Sequence, residues 1–345
     1  MPKQSVVVFD SVGVNPYGRE LADLLQDAGF TVLLALPRDA VSVDGQALLL
    51  RETFGMLKPA SLAREVRHLA RLGWLILASR CVCIVVWART YQKVGFAILA
   101  LLRPQAVVYI AHNPGAGRDV GGKYARLIER IMLARSRVVA HGGELAAAAE
   151  EEGAKQVIAL PHLPFVRYCE RWNISIRDVR RRDVPSILLL GALRPDKLMA
   201  HDVREFILEL EANGFEGEVV LAVRPRMELD VRGGVRVINF SSDDVLGDPE
   251  IAAALNRTDV LAAPYKNVTD SSTIMLALSA GIAVVGPRAG AVSGYLREEW
   301  QVAPGDVRGA ALLCMSAVDW SVPEGWINRV REESVLGWRR VLENV

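Results

Sequence analysis

Short apolar runs alternate with amphipathic segments along most of the chain. The first run, SVVVF, occupies residues 5–9, and the following RELADLLQDAG places three leucines and an alanine on one helical face before Gly29. The other strand-like runs are TVLLA, CIVVW, AVVYI, RVVA and QVIAL, and later SILLL, EVVLAV, VRVINF, DVLAAPY and AVVGP. Continuous apolar runs of this kind are typical of buried parallel strands. The alternation therefore predicts an α/β fold in which helices cover parallel sheets.

Two of the intervening segments carry a clear apolar stripe. After Gly122 the stripe consists of Tyr124, Leu127, Ile128, Ile131 and Met132, with arginine and glutamate on the other side. In the segment that begins at Asp202 it consists of Val203, Phe206, Ile207 and Leu210. Both spacings predict amphipathic helices whose apolar faces turn toward a core.

The composition and the hydrophobic periodicity of the chain change near its middle. The 345 residues are more than a single core usually serves, so two domains are expected. The stretch 161–185 is rich in proline and arginine and has little periodicity, which indicates a connection that few core contacts cross. We therefore predict a first α/β domain at 1–165, a linker at 166–185 and a second α/β domain at 186–324.

Composition and charge narrow the possible functions. The chain is 51% hydrophobic and 23% charged, as globular proteins are. Its formal net charge of +1 predicts no nucleic-acid partner, because such proteins carry a strongly basic domain or stripe. The four cysteines lack the spacing of zinc sites and indicate buried free thiols in a reducing compartment. The first residues lack the features of a signal peptide, and Arg80 divides the apolar stretch 72–88, so we expect a cytoplasmic protein without a membrane span.

The region Ser61–Arg103 combines apolar and basic residues. It contains seven lysines and arginines against a single acid, Glu65. Basic side chains beside apolar surface suit a peripheral contact with anionic lipid headgroups at the inner face of a membrane. A basic helix face that is only solvated explains the same pattern, and the sequence does not separate the two interpretations.

Two segments of the second domain carry groups that bind phosphate. Arg194 and Lys197 lie in GALRPDK, directly after the predicted strand SILLL, where a strand-to-helix loop can bring both cations to a diphosphate. The segment 270–273, DSST, precedes a predicted helix, whose free amides and hydroxyl groups suit a phosphate. The simpler alternatives are a solvated turn for the first segment and ordinary helix capping for the second.

Taken together, these segments resemble the sugar-nucleotide half of GT-B glycosyltransferases, especially glycosyltransferase family 4. One branch of that family has a G-x-x-R-P-x-K loop and, later, an L-P-Y…S-G-S-x-x-x-A-L-S-x-G-x-P-V-V segment. The matching residues are Gly191, Arg194, Pro195 and Lys197 in the first motif, and Pro264, Tyr265, Ser271, Ala277, Leu278, Ser279, Gly281, Val284 and Val285 in the second. Ser272, Thr273 and Ala283 depart from the second motif.

The resemblance implies an α/β GT-B fold, in which two Rossmann-like domains have parallel sheets that face each other across a cleft. The second domain would bind a nucleotide sugar, and the final helix, within 325–345, would pack back on the first domain. The diphosphate ligands would be Arg194, Lys197, Ser271, Ser272 and Thr273. No metal or other cofactor is implied, and the sequence has no convincing Asp-x-Asp or histidine cluster to hold a metal.

In the first domain the resemblance points to a loop and a histidine. The loop GVNPYG, with Gly13, Asn15 and Gly18, would approach the donor phosphates or the acceptor, although it can equally be a plain strand–helix turn. His112 follows the apolar run AVVYI and would hydrogen-bond the transferred sugar or act as the base on the acceptor hydroxyl. A structural histidine with satisfied hydrogen bonds is the competing interpretation.

The sequence also departs from the family. Many relatives have a Glu-x7-Glu pair whose second glutamate holds the donor ribose, and the aligned positions here are Val268 and Leu276. The leading hypothesis is a metal-independent hexosyltransferase that moves a sugar from a nucleoside diphosphate to a saccharide or lipid-linked acceptor in polysaccharide or glycoconjugate assembly. The alternative is a catalytically degenerate protein that binds a nucleotide sugar or a partner transferase without turnover. A sugar-nucleotide epimerase is a weaker hypothesis, because the sequence shows no suitable carboxylate pair.

Overall fold

A computed structural model describes most of the chain. The described residues are 5–11, 16–37, 47–50, 59–78, 81–112, 114, 122–174, 184–195, 197–316, 322–323 and 325–343. The chain divides into two compact units. Unit 1 comprises Met1–Leu163 together with Arg331–Val345, and unit 2 comprises Pro164–Val330.

Unit 1 contains a seven-stranded sheet in which all the strand pairs are parallel. Its strands are β1 (Ser5–Asp10), β2 (Thr31–Pro37), β3 (Ala47–Leu50), β4 (Val82–Trp87), β5 (Val107–Ile110), β6 (Arg137–His141) and β7 (Val157–Leu160), in the order β3-β2-β1-β4-β5-β6-β7. Its helices are α1 (Tyr17–Asp27), α2 (Pro59–Ala78), α3 (Thr90–Leu102), α4 (Gly122–Arg135) and α5 (Gly143–Glu151). A short 3-10 turn, Pro104–Ala106, precedes β5.

One face of this sheet forms the main core of unit 1. Side chains of β1, β4 and β5 pack there with residues of α2, α3 and α4, including Leu72, Phe96 and Met132. Helices on successive crossovers in one direction along a parallel sheet lie on the same face, because such crossovers are right-handed. Within the apolar stripe predicted for α4, Met132 is buried, but Tyr124 and Leu127 are exposed. The helical spacing is therefore confirmed, while only the C-terminal part of the stripe reaches the core.

Unit 2 contains a six-stranded sheet that is also parallel. Its strands are β8 (Ser186–Ala192), β9 (Gly217–Arg224), β10 (Val235–Asn239), β11 (Val260–Ala262), β12 (Ala283–Pro287) and β13 (Gln301–Val302), in the order β10-β9-β8-β11-β12-β13. Its helices are α6 (Val166–Arg171), α7 (Ala200–Ala212), α8 (Asp248–Asn256), α9 (Ser272–Ser279) and α10 (Val307–Met315). Two 3-10 turns, Ala291–Tyr295 and Glu298–Trp300, precede β13.

The region predicted as a linker is partly structured. Residues 166–171 form α6, which belongs to unit 2. The Tyr168 hydroxyl donates a 3.0 Å hydrogen bond to Asp248, and the Phe165 amide donates one of 2.8 Å to Ser279. The proline- and arginine-rich texture therefore does not by itself indicate a free connection.

The last helix, α11 (Trp326–Glu343), begins in unit 2, and most of its residues belong to unit 1. Within unit 1, Arg331 of α11 forms an ion pair with Asp27. Gly337 of α11 lies against Leu160, and a Cβ atom added at Gly337 would be 2.4 Å from Leu160 Cδ2. None of the helices in the described residues has the length and apolar character needed to cross a bilayer. All four cysteines are free, and Cys83, Cys169 and Cys314 are buried.

Candidate functional site

The main candidate site lies at the carboxyl edge of the sheet in unit 2. Strand order reverses between β8 and β11, which are adjacent in the sheet but separated in sequence by β9 and β10. Parallel α/β sheets bind ligands at the carboxyl ends of the strands beside such a reversal. The loop after β8 and the segment after β11 lie at this position, and they contain the residues that the sequence analysis selected for phosphate binding.

Backbone hydrogen bonds fix the loop after β8. Gly191 has a φ of 118°, which favours glycine, and starts the turn. The Arg194 amide donates to the Leu198 carbonyl at 2.7 Å, and the Lys197 amide donates to the Arg194 carbonyl at 3.0 Å. The Lys266 amide, after β11, donates to the Lys197 carbonyl at 3.0 Å. This loop is therefore attached to the segment after β11 and is not a free surface turn.

Tyr265 connects the two cations to the start of α9. The Lys197 ammonium lies 4.9 Å from the centroid of the Tyr265 ring. The side chains of Thr273 and Ser271 also lie near the hydroxyl of this tyrosine. Burial raises the pKa of Tyr265 to about 12, although Thr273, Ser271 and the nearby charge of Arg194 act in the opposite direction. One buried phenol thus brings together four of the five residues predicted to bind the diphosphate.

The start of α9 lies beside the loop after β8. Ser271 occupies the capping position, but its side chain accepts no hydrogen bond from the first turn of the helix. The first amides of a helix have no intrahelical partner and carry the positive end of its dipole. A Cβ atom added at Gly191 would lie 3.6 Å from the hydroxyl oxygen of Thr273, so the loop after β8 adjoins this turn. The Asp270 carboxylate accepts a 2.8 Å hydrogen bond from the Ser271 amide, directly before the helix.

The N-terminus of α7 is already occupied. The Asp202 carboxylate accepts a 2.7 Å hydrogen bond from the Met199 amide and forms a 2.9 Å ion pair with Lys266. The sequence pattern placed the start of this helix at Asp202, but the helix begins at Ala200. The Asp202 carboxylate therefore lies in its first turn. The phosphate-binding potential of this region therefore rests on α9 and on the two cations.

The two positions that lack glutamate are both apolar and buried. Val268 lies in the segment between β11 and α9, and Leu276 lies within α9. A Cβ atom at Gly290 would be 2.2 Å from the Val268 carbonyl oxygen, so only glycine permits this close approach. The structure thus places Val268 and Leu276 in the packed interior of unit 2, where neither supplies a carboxylate.

A second group of functional side chains lies at the carboxyl edge of the sheet in unit 1. His112 follows β5, His141 ends β6, and His162 follows β7. Their rings surround the buried ring of Tyr17, with centroid distances of 5.8 Å, 5.3 Å and 5.2 Å respectively. We call these four residues the histidine cluster. Among the residues that the structure describes, no set of three or more His, Cys, Asp or Glu side chains has the arrangement of a metal site.

His112 is held by a stacked ring and by a backbone carbonyl. Its ring lies parallel to that of Trp87 at 4.2 Å, and its Nε2 is 3.2 Å from the Val86 carbonyl oxygen. A carbonyl oxygen can only accept, so Nε2 carries the proton and Nδ1 is the basic nitrogen. Burial, reinforced by His141 and His162, holds the pKa of His112 well below its usual value. The ring is therefore neutral at physiological pH and can accept a proton or a hydrogen bond.

His162 has a similar environment. Its Nδ1 lies 2.8 Å from the Leu163 carbonyl oxygen, which assigns the proton to that nitrogen. Burial lowers the pKa of His162 to about 4, although the hydrogen bond to Leu163 opposes this change. The structure therefore brings together three histidines, of which sequence reasoning gave a strong role to His112 alone. Their shared signal was the position of each one at the end of an apolar strand.

The predicted loop after β1 is described only in part. Gly13 and Asn15 lie outside the described residues. Gly18 lies in the first turn of α1, where a Cβ atom would be 2.8 Å from the Oδ2 atom of Asp10. Glycine at position 18 therefore allows the buried Asp10 carboxylate, at the end of β1, to approach the start of the helix. Sequence reasoning did not select Asp10, Tyr17 or Trp87, because their positions emerge only when the strand ends are aligned.

Comparisons with known proteins identify the fold. No protein-family model and no curated protein matches the sequence. Among solved structures, Anabaena HepE in complex with UDP-glucose is similar over 99% of this chain and 98% of that chain, with a TM-score of 0.64 and 12% identity. Sucrose-phosphate synthase from Thermosynechococcus elongatus is similar over 99% and 97% of the two chains, with a TM-score of 0.60 and 15% identity.

A third similar structure is the UDP-forming α,α-trehalose-phosphate synthase from Burkholderia vietnamiensis. It matches over 99% of this chain and 96% of that chain, with a TM-score of 0.59 and 12% identity. Likeness at this level of identity establishes the architecture alone. The fold class predicted from the sequence is confirmed: the chain has two α/β units with parallel sheets and the GT-B fold.

Proposed function

We propose that the protein is a glycosyltransferase of the family 4 type, which transfers a sugar from a nucleoside-diphosphate donor to an acceptor hydroxyl. The observation that carries this proposal is the convergence of Arg194, Lys197, Ser271 and Thr273 around Tyr265 at the strand reversal of unit 2. Two cations, two hydroxyl groups and the amides in the first turn of α9 are the kinds of donor that bind a diphosphate. Ser272, at the first position of α9, would add its amide and hydroxyl to this set.

The chemistry assigned to these groups is stabilisation of the leaving group. In glycosyl transfer the bond between the anomeric carbon and the phosphate oxygen breaks, and the electron pair leaves with the nucleoside diphosphate. Negative charge grows on the diphosphate as this bond lengthens, and Arg194 and Lys197 would neutralise it in the transition state. Donors that are fixed before the reaction act without reorganisation, and removing one such donor typically costs about 100- to 1000-fold in rate. We propose that these cations do this without a divalent metal ion.

The acceptor must lose a proton when its oxygen attacks the sugar. We propose His112 for this step, because Nδ1 of its neutral ring is the basic nitrogen. The same nitrogen could instead accept a hydrogen bond from a sugar hydroxyl, and the proton would then pass to another base. Gly13, Asn15 and Gly18 are proposed to belong to the loop that approaches the donor or the acceptor.

The fold neighbours guide the choice of substrates to test. HepE was crystallised with UDP-glucose, with UDP and glucose, and with UDP. We therefore propose a UDP-hexose as the first donor to examine, and a saccharide or lipid-linked acceptor of polysaccharide or glycoconjugate assembly on the cytoplasmic side of the membrane. The acceptor class follows from the family resemblance and from the basic, apolar region of unit 1.

The test is thermal stabilisation by a panel of nucleoside diphosphates and their sugars. A ligand that binds only the folded state adds about 2.7 kcal/mol of stability at a hundred times its dissociation constant. We expect one diphosphate to stabilise the wild type, Lys197→Ala and Arg194→Ala to lose most of this gain, and Arg232→Ala to retain it. Arg232 is an exposed cation of the same unit, away from the strand reversal, and serves as the matched control.

Turnover separates this proposal from the alternative without catalysis. Buried Val268 and Leu276 favour that alternative, because neither can hold a ribose as a glutamate would. Release of nucleoside diphosphate from the stabilising donor, with water or acceptor, would establish transfer chemistry. Tight diphosphate binding with no release from any donor sugar would instead identify a degenerate binding protein. Absence of binding across the panel would contradict both.

A further inference from the structure

The outward side of α3 is apolar along its length. Its exposed positions after the first residue are Val94, Gly95, Ile98, Leu101 and Leu102. These recur at the spacing of one helical face, and Leu102 is 69% exposed. A helix that borders water normally carries charged residues on this side. The pattern therefore indicates a surface that is covered by something other than water in the working protein.

The helices on both sides of α3 extend this apolar surface. Arg103, directly after α3, donates a 2.8 Å hydrogen bond to the Ile76 carbonyl of α2, which brings the ends of these two helices together. At that end of α2, Trp74 is 70% exposed and Leu77 is also exposed. On the other side, Lys93 of α3 forms an ion pair with Glu129 of α4.

On α4 the exposed apolar residues are Leu127 and Tyr124, whose side chain is 82% exposed. We call the exposed side chains of α2, α3 and α4 the outer helical face. It presents one tryptophan, one tyrosine and several aliphatic side chains on three neighbouring helices, which is more exposed apolar area than scattered single residues supply.

The charges on the outer helical face are all positive. The exposed cations flank α3 on both sides: Arg67 and Arg71 on α2, and Lys123, Arg126 and Arg135 on α4, while Arg130 of α4 forms a 3.7 Å ion pair with Glu152. Among the described residues of these helices no acid is exposed, since Glu129 is half-buried and paired with Lys93. An apolar strip between two rows of cations is therefore complementary to a surface that is apolar inside and negatively charged outside.

We propose that the outer helical face docks on an anionic lipid bilayer, with α3 lying in the plane of the membrane. The aliphatic side chains and Trp74 would enter the boundary of the acyl chains, and the cations would contact lipid phosphates. Tryptophan and tyrosine are the side chains enriched at this depth of a bilayer. A second copy of the chain is a poor occupant, because a symmetric contact would bring its cations against the same cations. This proposal does not depend on sugar transfer.

The test is sedimentation of the full chain with lipid vesicles. Vesicles that contain one third phosphatidylglycerol in phosphatidylcholine should bind the protein at physiological salt, while vesicles of pure phosphatidylcholine should bind it much more weakly. We expect Trp74→Ser and Leu102→Ser to weaken partitioning by about tenfold each. The double charge reversal Arg71→Glu with Lys123→Glu should weaken it by about 25-fold or more.

Matched controls come from α7 of unit 2. Leu208 and Arg204 are exposed there, so Leu208→Ser and Arg204→Glu should leave vesicle binding unchanged. All the substituted side chains are exposed, and an unchanged melting temperature shows that each variant is folded. Diphosphate binding by the same variants should equal that of the wild type, which separates this test from the test of sugar transfer.

Three results would overturn the proposal. The first is equal or absent binding to anionic and neutral vesicles. The second is an equal loss of binding in Leu208→Ser and Trp74→Ser. The third is a dimer in light scattering that Trp74→Ser and Leu102→Ser dissociate, which would assign the outer helical face to a second copy of the chain.

Discussion

A histidine buried among other histidines makes folding sensitive to acid. The pKa of His162 is about 4 in the folded protein, against an ordinary value of about 6.5. Between these two values the unfolded chain binds a proton that the folded chain does not, so stability decreases as the pH falls through this window. The loss is about 1.4 kcal/mol per pH unit for each such histidine. His112, whose pKa is also lowered by burial, adds to the loss.

The substitution His162→Asn tests this prediction. The asparagine amide can replace Nδ1 as the donor to the Leu163 carbonyl but cannot be protonated. We expect the stability of the variant, measured by urea unfolding, to fall less steeply than that of the wild type between pH 6 and pH 4. The free energy of unfolding of the variant minus that of the wild type should rise by about 1.4 kcal/mol for each unit by which the pH falls. At pH 8, where histidine is neutral in both states, the difference should be constant, and parallel profiles at all pH values would contradict the assignment.

Single residues were predictable where a strand end fixed their place. Arg194 and Lys197 were selected because an apolar run ended directly before them, and the structure places both beside the strand reversal. Tyr265 was recognised only as part of a motif, and its contacts with Lys197, Ser271 and Thr273 depend on how two distant segments meet. The histidine cluster was missed for the same reason. Its members follow three different strands, and their proximity is a consequence of strand order, which local pattern does not give.

Strands and helices with strong periodicity were predicted with small errors at their ends. The predicted run SVVVF corresponds to β1, and the stripe that begins at Val203 is buried in α7, as expected. The strands β3 and β13 were not predicted, and the two residues of β13 are too few for any pattern. Tyr124 and Leu127 were assigned to a core face on spacing alone. Spacing identifies the face of a helix but not what lies opposite each of its turns.

The end of α11 depends on one buried arginine. Arg137, in β6, donates a hydrogen bond to the Val341 carbonyl in the last turn of α11, and burial lowers its pKa. Carbonyl groups at the end of a helix have no intrahelical donor, so this contact satisfies a buried acceptor and suits the negative end of the helix dipole.

We expect Arg137→Met to destabilise the protein by about 1–3 kcal/mol, because the methionine retains apolar packing but not the donor. In a unit of this size the melting temperature should fall by about 2–4 °C for each kcal/mol. Arg135→Met is the matched control, since Arg135 is exposed two residues earlier in the chain. A change within 0.5 kcal/mol for both variants, about the range of neutral surface substitutions, would show that the contact with Val341 contributes little.

At the scale of the whole molecule, the fold was accessible from sequence because two series of apolar runs define two sheets. Right-handed crossovers determine which face of a sheet each connecting helix covers, and ligand sites lie at the carboxyl ends of strands beside a reversal of strand order. The sequence texture at 161–185 was a less reliable guide, since α6 forms part of unit 2. Proline and arginine indicate the end of a regular pattern. Whether the adjacent residues pack against a domain depends on contacts with residues that are distant in sequence, such as Asp248 and Ser279.

Hydrogen exchange over the whole chain can test how ligand binding is distributed between the units. The proposed diphosphate ligands all belong to unit 2, where they lie in the loop after β8 and at the start of α9. We expect UDP at saturating concentration to slow exchange most strongly in 193–198 and 265–274. Lys197→Ala, at the same UDP concentration, should remove this protection and leave exchange elsewhere unchanged. Protection confined to the carboxyl edge of β1–β7 would contradict the proposed site. It would indicate that the diphosphate binds at the edge that carries the histidine cluster.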